Sequence, residues 1–240
     1  MLVPDGWSTI EGLTCGFGGR DEDVSSRTGS AQVVAVKQVH GRELVDAGGL
    51  SAAGAIAAVA AATHEADGIV VSHGGVVAAI KTADCVPLLM IARDPSDARG
   101  RPCWAAAVHA GWRGTVAGIA TAAVERAREA GVAPATLEVA LGPSIGPCCY
   151  QVGEEVAARF EDLGLPVLRE GGTDGVRLDL RAVNAAILAA AGVDPARIQC
   201  CGPCTHCRAD RYFSYRADPS NAGRQLSWIG WRSLRRAGEP

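Results

Sequence analysis

Apolar and polar positions alternate in several distinct ways along this chain, and the pattern predicts short strands interspersed with a few amphipathic helices. Residues 31–39 place Val33, Val34, Val36 and Val39 in one β-type run. Two further runs, 69–72 and 76–80, flank Ser72-His73-Gly74-Gly75, a turn composition that predicts a hairpin. The run 86–91, with Pro87 at its start, reads as a buried strand, and the compact apolar run 103–108 reads as another strand. Residues 137–141 and 225–231 read as two more. Helical spacing governs 116–130, where Glu125, Arg126 and Arg128 form the polar side, and a second helix is expected from about Gly153. A third runs from Asp179, a suitable N-cap, to Ala191 ahead of Gly192. Residues 47–66 are nearly all Ala, Gly and Val with no polar face, which reads as an insertion or a weakly specified helix.

No internal repeat and no long linker interrupts the pattern, so a single domain of mixed α and β structure over residues 1–240 is expected. Composition narrows the function. A net charge of −3 with scattered charges leaves no basic face for nucleic acid. No stretch approaches the roughly eighteen apolar residues of a membrane helix, and the first ten residues lack a basic start followed by an apolar run. A cytoplasmic protein with a small-molecule ligand is therefore expected. In that setting the nine cysteines read as thiols or metal ligands, not as a disulfide framework.

Chemistry concentrates at strand ends. His109 lies in Val108-His109-Ala110-Gly111-Trp112-Arg113-Gly114, between an apolar strand and a helix, and His40 ends another run in Gln38-Val39-His40-Gly41. Cys85 stands at the edge of the strand that starts at Val86. Two imidazoles and a thiolate suit Zn²⁺ and leave a fourth position open, the arrangement of a catalytic site, provided the three strand ends neighbour one another. A buried thiol with two ordinary loop histidines is the alternative reading of the same residues. Asp67 and Asp84 are candidates to orient an imidazole or simply to cap turns. Trp112 and Tyr215 either stack on a ligand ring or pack the core. His64 and His73 read as solvated loop residues.

A second cluster, Cys200, Cys201, Cys204, His206 and Cys207, has the tight spacing of metal or redox sites. A knuckle needs two more ligands, and the spare cysteines, Cys148 and Cys149, are adjacent to each other and unplaced by sequence. A second metal, a disulfide and free thiols all stay open. Pro203-Cys204-Thr205-His206-Cys207 matches half of the zinc nucleobase-deaminase signature, but no histidine is followed two places on by glutamate, which excludes that fold.

These stretches also carry a resemblance. Lys37-Gln38-Val39-His40-Gly41, Glu65-Ala66-Asp67-Gly68, Thr82-Ala83-Asp84-Cys85-Val86-Pro87, the His109 stretch, Gly142-Pro143-Ser144-Ile145-Gly146-Pro147-Cys148-Cys149-Tyr150 and Phe213-Ser214-Tyr215-Arg216 together resemble the YfiH family, also called the laccase-domain or multicopper polyphenol oxidase family. Gly16-Phe17-Gly18-Gly19-Arg20 looks like the family's amino-terminal motif, although most of the segment that usually follows it is missing.

The resemblance implies a single α/β domain of mixed α+β type, with a mixed β-sheet core flanked by helices, similar to cytotoxic necrotising factor. It implies metal ligands at His40, Cys85 and His109, normally holding zinc, with Cys85 and His109 central to catalysis. It implies phosphorolysis of adenosine, inosine or methylthioadenosine to base and (methylthio)ribose-1-phosphate, with adenosine deamination by zinc-bound water. Phosphate needs cations and N–H groups, and Arg113 at its helix start and Arg20 are the candidates. An older description of the family implies a copper-dependent polyphenol oxidase instead. Five histidines with no His-x-His pair make several coppers hard to hold, although copper itself would load onto a His₂Cys site. A metal-free cysteine hydrolase with Cys85 as nucleophile and His109 as base is a third reading, and a binding domain with a vestigial zinc a fourth.

Overall fold

Strict alternation along the two most apolar strands decides the layering of the molecule. The computed structural model describes residues 1–28, 31–50, 62–169 and 175–231. In chain order its strands are β1 (Leu13–Phe17), β2 (Gln32–Ala35), β3 (Leu44–Asp46), β4 (Gly68–Val71), β5 (Val76–Thr82), β6 (Val86–Arg93), β7 (Pro102–Ala110), β8 (Glu138–Leu141), β9 (Gln151–Val152), β10 (Leu168–Arg169), β11 (Val176–Arg177), β12 (Ile198–Cys200) and β13 (Gln225–Trp231). The helices are α1 (Val24–Thr28), α2 (Trp112–Ala117), α3 (Ile119–Glu129), α4 (Glu154–Glu161) and α5 (Leu180–Ala190).

A six-stranded sheet in the order β12-β8-β6-β7-β4-β3 forms the centre, and a four-stranded sheet, β1-β13-β5-β2, packs on one face. Leu88 and Met90 of β6, with Ala106 and Val108 of β7, face α3 and α5 and meet Ile119, Ala123, Val183 and Leu188. Their neighbours Leu89, Ile91, Ala105 and Ala107 face the other sheet, against Ile80 of β5 and Ile229 of β13. Successive side chains of a strand point to opposite faces, so a run that is apolar at every position needs a layer on each side. The outer face of the four-stranded sheet is closed by Val24 of α1 over Val77, Ala79 and Trp228. Mixed α/β architecture with a mixed sheet flanked by helices is thus what the chain forms.

Three local expectations change. Residues 69–72 and 76–80 are strands but not a hairpin: β4 pairs with β7 and β3, whereas β5 lies between β13 and β2 in the other sheet. The turn between them is a corner from one sheet to the next. A run as apolar as β5, buried throughout Val76–Ile80, fits the middle of a covered sheet better than the edge position of a hairpin. The strand expected over 31–39 stops at Ala35, which leaves His40 in a loop beyond it. The helix expected from Val116 starts earlier, with Gly111 capping α2 and Gly118 at φ 86° dividing α2 from α3. Apolar spacing misses α2 because Trp112 and Arg113 line a cleft. Asp179 caps α5 as expected, accepting from the Arg181 and Ala182 N–H groups. The middle of the Ala/Gly/Val run, residues 51–61, lies outside the described residues. Among the described residues, no helix is long and apolar enough to cross a membrane.

At Gly142, just past β8, a Cβ would sit 2.3 Å from the ring of Phe17, itself 1 % exposed between the sheets. Gly142→Ala forces that ring to move, and overpacking of this kind costs roughly 1–3 kcal/mol. Chemical denaturation is expected to show a lower midpoint at unchanged slope.

Candidate metal centre

Three adjacent strands place the site. β7 lies between β6 and β4. His109 near its end pairs with Pro87 of β6 on one side, while Val108 pairs with Gly68 of β4 on the other. Cys85 and Asp67, each just before its strand, are therefore brought to either side of His109 by strand pairing alone. His40 arrives from the other sheet, on the loop after β2, where Lys37 bridges to Glu65.

The result joins the expected donors: one ligand atom from each of His40, Cys85 and His109 lies within 4.8 Å of the other two. The two imidazole rings are 4.8 Å apart, edge to face at 79°. Asp67 is fully buried and accepts from the Nδ1–H of His109 at 2.8 Å, which turns Nε2 of that ring toward Cys85 and His40. The same carboxylate accepts the backbone N–H groups of Val39, His40 and Gly41 at 3.3, 2.9 and 2.6 Å. It thereby holds His40 at φ 62°, a left-handed conformation uncommon for any residue but glycine. Gly111 keeps the centre clear: a Cβ there would approach Cys85 Sγ and His40 Cδ2 to 3.0 Å each.

Charge is already arranged for a metal. Burial alone would raise the Cys85 thiol, but hydrogen bonds from His109 and His40 outweigh it and bring it down to about 6. Burial would lower His109, yet Asp67 and Cys85 raise it to about 9. A thiolate facing an imidazolium is the consequence. The donor set, the Nε2 freed by Asp67 and the room left by Gly111 fit a three-ligand ion with an open fourth position.

The three donors line a cleft of about 520 Å³, together with Trp112, Arg113, Tyr150, Tyr215 and Arg216 among others. Trp112 and Tyr215 thus both lie where a ligand ring would be held. Arg113 stacks on Trp112, its guanidinium carbon 4.3 Å from the ring centre. Arg20, the other expected anion contact, does not line this cleft. It stacks on Phe213 at 4.4 Å and donates to the carbonyls of Ala209 and Tyr212, which spends its guanidinium on holding that loop. Arg216 and Lys81 line the cleft and were not singled out, because a basic residue on a loop carries no periodic signal. His64 and His73 are exposed, apart from the centre.

Comparison with known proteins agrees with this geometry. The family model described as "Multi-copper polyphenol oxidoreductase laccase" matches residues 21–232. The chain belongs to this laccase-domain family. Curated relatives include purine nucleoside phosphorylase YlmD of Geobacillus stearothermophilus, 36 % identical over 83 % of this chain and 72 % of YlmD. Adenosine deaminase RL5 of an unknown prokaryotic organism is 37 % identical over 70 % of this chain, which spans 63 % of the deaminase. Among solved structures, Bacillus licheniformis YfiH superposes with a TM-score of 0.78 at 26 % identity, each chain covered to 95 %. Geobacillus stearothermophilus YlmD superposes at 0.77 with 29 % identity, each covered to 94 %. The curated names are enzyme names, so the laccase-domain family to which this chain belongs is one of enzymes.

Two outcomes test the centre. Asp67→Asn retains the shape but cannot accept from all four N–H groups, and loss of such an orienting carboxylate typically weakens metal binding 10- to 100-fold. Competition with a chelator on the folded variant measures it, and parent-like affinity would contradict the role given to Asp67. For pH, Cys85 is already ionised above about 6 while His109 keeps its proton up to about 9. Between those values a zinc ion displaces the His109 proton. Affinity should then climb about tenfold per pH unit, with about one proton released per ion. Below about 6 the release increases as Cys85 joins, and above about 9 the dependence flattens. Titration calorimetry in buffers of different ionisation enthalpy reads the proton count.

Proposed function

We propose that this chain is a zinc-dependent purine nucleoside enzyme. It splits adenosine, inosine or methylthioadenosine with phosphate into the base and (methylthio)ribose-1-phosphate, and it also deaminates adenosine. One observation carries the reading: a His₂Cys donor set at the floor of a cleft whose walls supply both aromatic rings and cations. The phosphorylase and deaminase names of its relatives point the same way.

The residues divide the work by their chemistry. Trp112, Tyr150 and Tyr215 line the cleft with aromatic rings, the side chains suited to holding a purine. Arg113, Arg216 and Lys81 gather positive charge at the same cleft, suited to a phosphate dianion. In phosphorolysis a phosphate oxygen bonds to C1′ of the ribose while the C1′–N bond breaks, and the electron pair leaves on the base, which takes up a proton. Holding phosphate and nucleoside together turns that encounter into a step within one complex. When bound by His40, Cys85 and His109, zinc supplies Lewis acidity at the cleft floor.

A second reading has one observation in its favour. The paired Cys85 thiolate and His109 imidazolium, oriented by Asp67, also suit a metal-free cysteine hydrolase. The copper oxidase reading makes the same donors a copper site.

The test is metal content of protein purified without added metal, together with chromatography of adenosine incubated with and without phosphate. Zinc, with adenine and ribose-1-phosphate appearing only when phosphate is present, is the expected result, and inosine in either reaction marks deamination. Cys85→Ala should lose this zinc and roughly 10³-fold in turnover, the several kcal/mol a catalytic metal contributes. A metal-free protein that cleaves inosine at the parent rate would sink the zinc mechanism, and bound copper without nucleoside turnover would favour the oxidase.

A further inference from the structure

Of the carboxy-terminal cluster that stood out in the sequence, Cys200, Cys201 and His206 lie outside the group, while Cys204 and Cys207 meet the two spare cysteines, Cys148 and Cys149. The Sγ atoms of Cys148, Cys149, Cys204 and Cys207 all lie within 4.8 Å of one another. They come from two loops far apart in sequence. One follows β8 and turns tightly at Gly146, whose carbonyl accepts from the N–H groups of both Cys149 and Tyr150. The other follows β12. Parallel pairing of β12 with β8 carries both chains outward side by side, and the pairing continues as a bridge between Ser144 and Cys204.

We propose that these four cysteines bind a single tetrahedral zinc ion, a structural site separate from the His₂Cys centre. Zinc–sulfur bonds of about 2.3 Å set the edges of a Cys₄ tetrahedron near ~3.8 Å. Cys207 Sγ lies 3.6 Å from Cys148 Sγ and 3.4 Å from Cys149 Sγ, close to such edges and far from bonded sulfurs. Cys207 stands about equally near two adjacent cysteines, and Cys204 completes the group, so the four sulfurs form one cluster with no isolated close pair among them. A backbone donor is in place as well: the Gly146 N–H donates to Cys204 Sγ at 3.2 Å. Such bonds stabilise thiolate ligands. Gly146 also leaves the space open, since a Cβ there would meet Cys204 Cβ at 3.3 Å and Cys148 Sγ at 3.4 Å. Arg177 ties down the turn by donating to the Cys148 carbonyl at 2.7 Å and places positive charge beside a centre that carries net negative charge once ligated.

The ion would act as a clamp on the cleft. The first loop carries Ile145 and Tyr150 into the wall, and the second leads to Tyr215 and Arg216. Thr205, next to Cys204, donates to the Asp84 carboxylate at 2.6 Å, immediately before Cys85. Four ligands fill the coordination sphere, so the site is closed and supplies folding free energy and no catalysis.

Cys85→Ala removes the other centre while leaving these four thiols, which separates this proposal from the functional one. The expected result is about one zinc per chain in Cys85→Ala, released as four thiols are titrated with an organomercurial. In the Cys85→Ala background, Cys207→Ser should lose that zinc and melt at lower temperature. Should Cys207→Ser fail to fold, Cys148→Ser gives the same reading. Cobalt exchanged into Cys85→Ala supplies an independent signature, with thiolate charge-transfer bands and the intense visible bands of a tetrahedral all-sulfur field. Cys85→Ala that binds neither zinc nor cobalt, whether its cysteines titrate as free thiols or as a disulfide, overturns the proposal.

Discussion

Everything at the centre depends on satisfying one fully buried carboxylate. Asp67 has no contact with solvent, and an ionised carboxylate in that position is costly unless donors surround it. Three backbone N–H groups of the 39–41 loop and the Nδ1–H of His109 do so. The requirement works in both directions. To reach the carboxylate the loop must wrap around it, which puts His40 at φ 62°. A left-handed non-glycine residue costs about 1–3 kcal/mol, and hydrogen bonds to a charged acceptor, at roughly 1.5–3 kcal/mol each, are enough to offset it. One carboxylate thus fixes the ring of one ligand and the backbone of another, in two different sheets.

Asp84 repeats the solution on the far side of β6. It too is buried, and here the aspartate itself is left-handed, with φ 84°; it accepts from Thr205 Oγ1, Ser214 Oγ and the Arg216 N–H at 2.6, 3.1 and 2.7 Å. Its neighbour Cys85 is thereby presented at the strand end, while the 204–216 loop is drawn over the cleft. Two aspartates, each just before a strand that pairs with β7, therefore anchor two loops, 39–41 and 204–216, around the centre. Ligands held this way need little rearrangement when an ion arrives, which is what tight metal binding on a surface cleft demands.

How much of this was legible in the sequence follows from what each signal encodes. His40 and His109 stood out as donors at the end of an apolar run beside glycine, and Cys85 as a donor at the edge of a core strand; all three are local patterns, which strand pairing and the 39–41 loop then brought together. Asp67 and Asp84 were visible only as candidates, since an aspartate in a turn looks the same whether it caps a backbone or anchors an imidazole. The 69–80 region misled because strand and turn composition are local while the choice of sheet is not: β4 and β5 have the right residues for a hairpin and different partners. Arg113 at its helix start was the stronger of the two cation candidates and Arg20 the weaker, but what keeps Arg20 from the cleft is packing on Phe213 and hydrogen bonds to the Ala209 and Tyr212 carbonyls, which no local pattern encodes. Proximity of Cys148 and Cys149 to Cys204 and Cys207 rests on the parallel pairing of β8 with β12, which are separated in the chain by α4 and α5, and no spacing rule reveals it.

The laccase name and the nucleoside-enzyme names ask different things of the same donors. A His₂Cys set is also that of blue-copper electron-transfer sites, which add a weak axial ligand, usually methionine, sometimes a glutamine or backbone oxygen, in a shielded pocket. The chain has two methionines and neither lines the cleft; Met90 is buried in the core of β6. Gln38 does line it, but its amide is engaged, with Nε2 donating to the Lys81 carbonyl at 2.7 Å and Oε1 accepting the Lys81 N–H at 2.8 Å. A metal held by His40, Cys85 and His109 would therefore have its fourth position on the cleft side, with neither methionine nor the Gln38 amide free to fill it. A redox copper needs that position occupied and dry, whereas a Lewis acid needs it vacant and accessible. Copper still outcompetes zinc for such donors by affinity alone, so metal found after exposure to copper reports affinity, and the geometry of the fourth position is the better guide to the chemistry.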